Sequence, residues 1–300
     1  MDARDIKQEP EEIKNGKYLE KIYSLQKQLL DHYIGIEGLP QYPIDVNTKK
    51  SQIILKDFTG RVIEELAEGY ESLLLVKELT NKNKLWFSDF DNKDFFQTLN
   101  HLQNANEEMA DALHFMLELL IYANIQPEDI EAYANKKLEK YYPSSVAIKE
   151  ADTITKSMIL GKIMLNENPI LFGVEKEMEK SSLVDLISKY ESLDAEDKES
   201  TIDTRFIQGG RYFNDLQYAS YEIMMWQVAY YLNIARNCLK NKPWKQSQMM
   251  TDEPKYQEEL VKGFLVMMGL FYNMGISVDI LYFLYFKKNM VNQFRIRSNY

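Results

Sequence analysis

The sequence predicts an all-α protein, and three observations carry that reading. Glycine and proline are scarce, at 12 and 8 of 300 residues. Apolar residues recur at three- and four-residue steps over long windows. No short alternating segments closed by Asn-Gly or Asp-Gly turns are found, so nothing reads as a hairpin or a meander. With 45% hydrophobic residues, 20 Tyr and 14 Phe, the chain has apolar material for a substantial core, in one large or two ordinary domains, and wholesale disorder is excluded.

Taken in order, residues 1–17 are highly charged and predict a flexible N-terminus. From Tyr18 to about Ile34, Leu19, Ile22, Tyr23, Leu25, Leu29, Leu30 and Tyr33 keep helical period, and the segment GIEGLPQYPID ends that helix. A long helix follows from about Lys49 to Leu79, with Leu55, Phe58, Val62, Leu66, Tyr70, Leu73 and Val76 as its apolar stripe and Gly69 as its weak point. The Asn, Ser and Asp content of NKNKLWFSDFDNKD predicts a loop, after which a third helix runs from about Gln97 to Ala123. Pro127 followed by Glu128 and Asp129 opens a fourth, reaching about Tyr141.

Residues 18–149 thus form one helical unit. Residues 150–205 read as a helical insertion ending in the solvated acidic connector KYESLDAEDKESTIDTR, and 206–300 as a second helical unit. The most apolar stretch, Gly263 to Phe286, is interrupted by Asn273, Ser277 and Asp279. It falls short of the roughly 20 unbroken apolar residues of a membrane span and reads as buried core helices.

The two units look like an internal repeat. Glu107-Glu108-Met109-Ala110-Asp111 leads through Leu113, Phe115, Met116 and Leu119 to Tyr122-Ala123-Asn124-Ile125, as Glu258-Glu259-Leu260-Val261-Lys262 leads through Phe264, Val266, Met267 and Leu270 to Met274-Gly275-Ile276. Each unit closes with a lysine pair, Lys136-Lys137 and Lys287-Lys288, and each has a tryptophan-bearing loop upstream, around Trp86 and Trp244. The expectation is a duplication that makes one polypeptide a pseudo-dimer.

Forty-six acidic against 36 basic residues give a formal charge of -10 and a pI near 5.0. That balance excludes duplex nucleic acid as a partner unless the bases are segregated on one face. Cys238 is the single cysteine and there are 3 His, so neither an intrachain disulfide nor a Cys/His zinc site can form. A reduced, cytoplasmic protein is expected, since the N-terminal residues carry no signal- or transit-peptide pattern.

The long helix carries Glu64, Glu65, Glu68 and Glu71 beside its apolar stripe, and the third helix carries Glu108 and Asp111. Residues three and four apart share a helix face, so Glu65 pairs with Glu68 and Glu108 with Asp111. Two such pairs facing each other make a four-carboxylate box. Burying it without a cation forces up carboxyl pKa values or destabilises the fold, which points to Mg²⁺ or Mn²⁺. A lone Glu-Glu-x-x-Glu is usually a solvated face, but these acids are embedded in apolar runs on two helices.

These residues resemble the all-α nucleoside triphosphate pyrophosphohydrolases, the superfamily of MazG and the dimeric dUTPases. The superfamily's Glu-Glu-x-x-Glu and Glu-x-x-Asp motifs match Glu64-Glu65-Leu66-Ala67-Glu68 and Glu108-Met109-Ala110-Asp111. Asp111-Ala112-Leu113-His114-Phe115 is similar to the dimeric dUTPases and the phage dCTP/dUTP pyrophosphatases. Leu25-Gln26-Lys27-Gln28-Leu29 is similar to the family's base-reading helix, and Lys288, Asn289, Asn292, Arg295 and Tyr300 to its closing motif. The chain departs from the family at Leu30, Ile296 and Asn299, which leaves the choice of base open. Against the first unit, Ile223 stands at the position of Glu65, Trp226 at that of Glu68 and Lys262 at that of Asp111, with Glu259 retained, so one metal site per chain is expected.

The resemblance implies a helical bundle of the dimeric dUTPase/MazG type and a Mg²⁺-dependent hydrolysis of dUTP to dUMP and diphosphate. Glu65, Glu68, Glu108 and Asp111 would hold the metal, with Glu65 and Glu68 catalytic and Glu65 orienting or deprotonating water. Lys288, Asn292 and Arg295 would bind phosphates. Gln26, Trp86 and His114 would meet the base, although Gln26 also reads as an exposed helix residue, Trp86 as a core plug and His114 as a satisfied core histidine. The alternatives are a dCTP or modified-pyrimidine pyrophosphatase and a catalytically silent helical interaction protein. Either a monomeric pseudo-dimer or a homodimer is compatible, in the host cytoplasm if the chain is viral.

Overall fold

The computed structural model describes residues 3–83, 92–166, 215–242 and 244–298, and its regular structure is all helical. A 3-10 turn at Ala3–Asp5 precedes α1 (Tyr18–Glu37), α2 (Lys49–Asn83), α3 (Asn92–Tyr122), α4 (Pro127–Tyr141), α5 (Val146–Glu150) and α6 (Thr153–Asn166). After them come α7 (Asp215–Cys238), α8 (Glu253–Asn273) and α9 (Val278–Arg297).

α2 and α3 are the longest elements, about 52 and 46 Å at 1.5 Å per residue, and they lie antiparallel over most of that length. Leu55, Val62, Leu66, Leu73 and Val76 of α2 bury against Leu99, Leu102, Ala105, Met109 and Met116 of α3, each row advancing by steps of three, four or seven residues. At Gly69 the two helices approach closely. A Cβ there would stand 2.9 Å from the Met109 Cε and 3.3 Å from the Ala105 carbonyl, so the residue that weakens α2 as a helix is what lets α3 come near. α3 begins at Asn92 rather than Gln97, because Phe95 and Leu99 are fully buried and draw the first turns into the core.

From Gly263 onward α8 is apolar on every side and therefore sits inside the molecule, with every residue from Gly263 to Phe271 buried. It packs on α7, α6 and α3, and α9 leaves it at a bend of 109°. Among the described residues no single helix is long and apolar enough to cross a membrane. α6, inside the range read as an insertion, is a core element packed between α4 and α8. It crosses α8 with backbone against backbone, since a Cβ on Gly161 would lie 1.9 Å from the Leu265 carbonyl and one on Gly269 would lie 2.5 Å from the Gly161 carbonyl carbon.

The α3–α4 and α8–α9 turns share one hydrogen-bond pattern. Ala123, Asn124 and Ile125 donate to the carbonyls of Leu119, Ile121 and Leu120, and Met274, Gly275 and Ile276, each 151 positions later, donate to Leu270, Tyr272 and Phe271. Asn124 and Gly275 both take positive φ, at 59° and 73°. The N-terminal segment, expected to be loose, is tied to the bundle at several points. Ala3 is buried, Arg4 pairs with Glu107 at 3.3 Å, and the Lys287 ammonium donates to the carbonyls of Ile6 and Gln8 and to Glu9.

The helix crossing gives a direct test by thermal denaturation. Gly161→Ala is expected to destabilise the protein by about 3 kcal/mol, because the new methyl group meets backbone that cannot rotate away. Gly60→Ala in α2, where a Cβ meets nothing within 4 Å, should instead stabilise by roughly 0.5–1 kcal/mol.

Candidate metal centre

Midway along the α2–α3 pair the acidic residues converge. Glu65, Glu68 and Glu108 each offer a carboxylate oxygen within 4.8 Å of the others. Asp111, one turn further along α3, is held at 2.6 Å by the Lys288 ammonium, which arrives from α9 and is itself buried. The site therefore draws on two helices of the first unit and one of the second. Fully ionised, the four acids and Lys288 leave three uncompensated negative charges.

The electrostatics follow from that crowding. Burial, then the charges of Asp111, Glu108 and Glu68, push the Glu65 carboxyl up to about 8, against the opposing pull of Lys288. Burial also raises Glu108, which shares a hydrogen bond with Glu65. Burial alone would lower Lys288, but Asp111 beside it holds the ammonium above its ordinary value. An all-oxygen donor set with surplus negative charge fits a hard divalent cation such as Mg²⁺ or Mn²⁺.

A cavity of about 480 Å³ adjoins the cluster, with Glu65 and Asp111 in its wall. Asn292 and Arg295 of α9 line it together with Arg61 of α2. Its apolar side includes Phe58 and Phe115, whose rings stack at 6.2 Å, with the Arg61 guanidinium over Phe115. On the other side of the acids a second concavity of about 730 Å³ is lined by Arg4, Glu68, Asn104, His101 and Glu108 among others.

The cavity's polar floor departs from the sequence reading. Gln26, expected at the base, is fully buried behind the cavity: its amide nitrogen donates to Glu118 at 3.1 Å and its oxygen accepts from the Tyr285 hydroxyl at 2.7 Å. Both ends of Gln26 are engaged, so it positions Glu118 and does not itself face a ligand. Glu118, 5% exposed, lines the cavity. His114 lines it as well. Its Nδ1 lies 2.8 Å from the Ala110 carbonyl, a geometry that places the proton there and leaves Nε2 as an acceptor, and Nε2 is buried with no partner among the described residues. Burial pushes this imidazole down to about 4, and it stacks on Tyr285 with centroids 4.2 Å apart. Trp86 lies outside the described residues.

Helical spacing holds the signal for the residues that went unassigned. Asp111, His114, Phe115 and Glu118 are three, four and seven apart on α3, and Asp57, Arg61, Glu65 and Glu68 form the corresponding row on α2. In the second unit Lys262 pairs with Glu258 at 3.0 Å and with Glu259 at 2.9 Å. No family model, curated protein or solved structure matches the chain.

Glu65 binds a proton more tightly in the folded chain than at its ordinary value of 4.5, so it stabilises the metal-free fold at low pH. That contribution is lost as pH rises from about 4.5 through about 8. In chelator, the melting temperature should fall across this window. Mg²⁺ should restore it more at pH 8 than at pH 5, because the ionised carboxylate binds the cation and the acid form does not. Glu65→Gln should flatten the profile, as differential scanning calorimetry would show.

Proposed function

We propose that the protein is a divalent-cation-dependent pyrophosphohydrolase of pyrimidine deoxynucleoside triphosphates, releasing the monophosphate and diphosphate. The observation that supports this best is the approach of Glu65, Glu68 and Glu108 within 4.8 Å beside a cavity with an acceptor-lined floor and cationic residues in its wall. Mg²⁺ or Mn²⁺ held by Glu65, Glu68, Glu108 and Asp111 would neutralise phosphate charge and lower the pKa of an attacking water.

The chain's own residues supply the remainder. Glu65, at both the cluster and the cavity wall, accepts the proton of the attacking water. Lys288 fixes Asp111, and Arg295, Asn292 and Arg61 donate to phosphate oxygens. Phe58 and Phe115 give a face on which a base stacks. The pyrimidine identity rests on the resemblance, and the shared α3–α4 and α8–α9 turn geometry supports a duplicated chain with one such site.

The resemblance implies dUTP as substrate. The cavity floor favours dCTP, because the Glu118 carboxylate accepts hydrogen bonds and cytosine presents an amino group where uracil presents a carbonyl.

The test is diphosphate release from dUTP, dCTP, dTTP, dATP, dGTP and UTP with Mg²⁺. Release confined to one pyrimidine deoxynucleotide, reduced at least ~100-fold in Glu68→Gln, is the expected result. Glu118→Gln, which adds a donor, should lower the dCTP/dUTP ratio of kcat/KM by roughly 10- to 100-fold. No release from any nucleotide by the folded protein overturns the enzyme and leaves a helical interaction protein.

A further inference from the structure

A third concavity lies against another face of α2, and its chemistry is the reverse of the acidic site's. Lys56 of α2, Arg236 near the end of α7, and Lys240, Lys242 and Lys245 of the following loop line a groove of about 800 Å³. No acidic residue lines it, and none of these five cations has a carboxylate within 4.0 Å among the described residues. In a chain of net charge -10 this segregation is not a by-product of composition. The helix dipole favours a cation in the last turn of α7, but it accounts for Arg236 alone. Burial and the nearby charges of Arg236 and Lys242 lower Lys56, a sign of positive charge that no counter-ion among the described residues offsets.

Trp244 stands in the same wall, 75% exposed, with the Lys242 ammonium 5.4 Å over its ring. The loop that carries it is anchored. Asn241, 2% exposed, donates from its side chain to the carbonyls of Asn47 and Met249, accepts from the Met249 amide and donates its own amide to Gln52. Lys56 adds a bond to the Asn241 carbonyl and Lys49 one to the Lys245 carbonyl. The indole is thus held out on a fixed support among cations.

We propose that this groove binds single-stranded nucleic acid, its cations meeting successive phosphates and Trp244 stacking on an unpaired base. A flat, exposed ring among cations is the arrangement that reads a strand without reading its sequence. A duplex keeps its bases stacked on one another and cannot offer one to Trp244. An acidic peptide would use the cations and leave the indole without a role. The site is separate from the acidic cluster and does not rest on the triphosphate reading.

The experiment is fluorescence anisotropy of a labelled mixed-sequence 20-mer with the full chain, at several salt concentrations. Binding of the single strand should weaken linearly in log salt, with a slope of about -2 to -3 for three or four phosphates neutralised. Trp244→Ala should weaken it about tenfold and Arg236→Glu with Lys240→Glu by considerably more, while Glu68→Gln leaves it unchanged. These side chains are exposed, so the variants should fold, and circular dichroism checks this. Absence of binding at low salt, or equal binding by the charge-reversal variant, overturns the proposal. Equally tight binding of the duplex or of polyglutamate, with no effect of Trp244→Ala, overturns it in favour of an unspecific anion or acidic-peptide surface.

Discussion

The ion pair between Asp111 and Lys288 is the interaction on which the rest of the molecule depends. Four acids brought together inside a helix pair repel one another, and within α2 and α3 the hydrogen bond between Glu65 and Glu108 offsets only part of that repulsion. α9 supplies the offset. To put Lys288 on Asp111 it must lie against α1 and α3, and it does so through Tyr285, which stacks on His114 and donates to Gln26. Tyr18 of α1 makes a further contact with Asp279 and Tyr282 at the start of the same helix. A buried pair of this kind adds little net stability, yet losing one partner strands a charge, so the position of α9 is tightly specified.

Much of this was legible in the sequence, for identifiable reasons. The long helices follow from the apolar period at Leu55, Val62, Leu66 and Leu73 and from the near absence of breakers. Glu65 could be paired with Glu68, and Glu108 with Asp111, because helical spacing fixes which side chains share a face. Gln26 shows the limit. Its helix is apparent from the pattern, but whether its amide faces a ligand or the interior depends on Tyr285, more than 250 residues away, and on Glu118. Gly69 illustrates the same point, since local propensity marks it as a weakness and only its distance to Met109 explains it.

Net charge was the least informative quantity. Lys56 and Asp57 are consecutive, yet one lines the basic groove and the other the acid-bearing cavity, because a helix turns about 100° per residue. α2 therefore separates two electrostatic environments. The basic one gathers Arg236, Lys240, Lys242 and Lys245, a local run of cations at and beyond the end of α7, with the distant Lys56 of α2, a union that a sum of charges does not reveal.

The origin of Lys288 has one more consequence. Where a site is shared between separate subunits, dilution takes it apart and an inactive partner can spoil an active one by exchange. Here both the acids and the lysine that holds them belong to one polypeptide, so the local concentration of one for the other is set by covalent connection and not by the amount of protein. Each chain carries its own Asp111–Lys288 pair, so loss of the lysine in one copy leaves the acids of another copy paired.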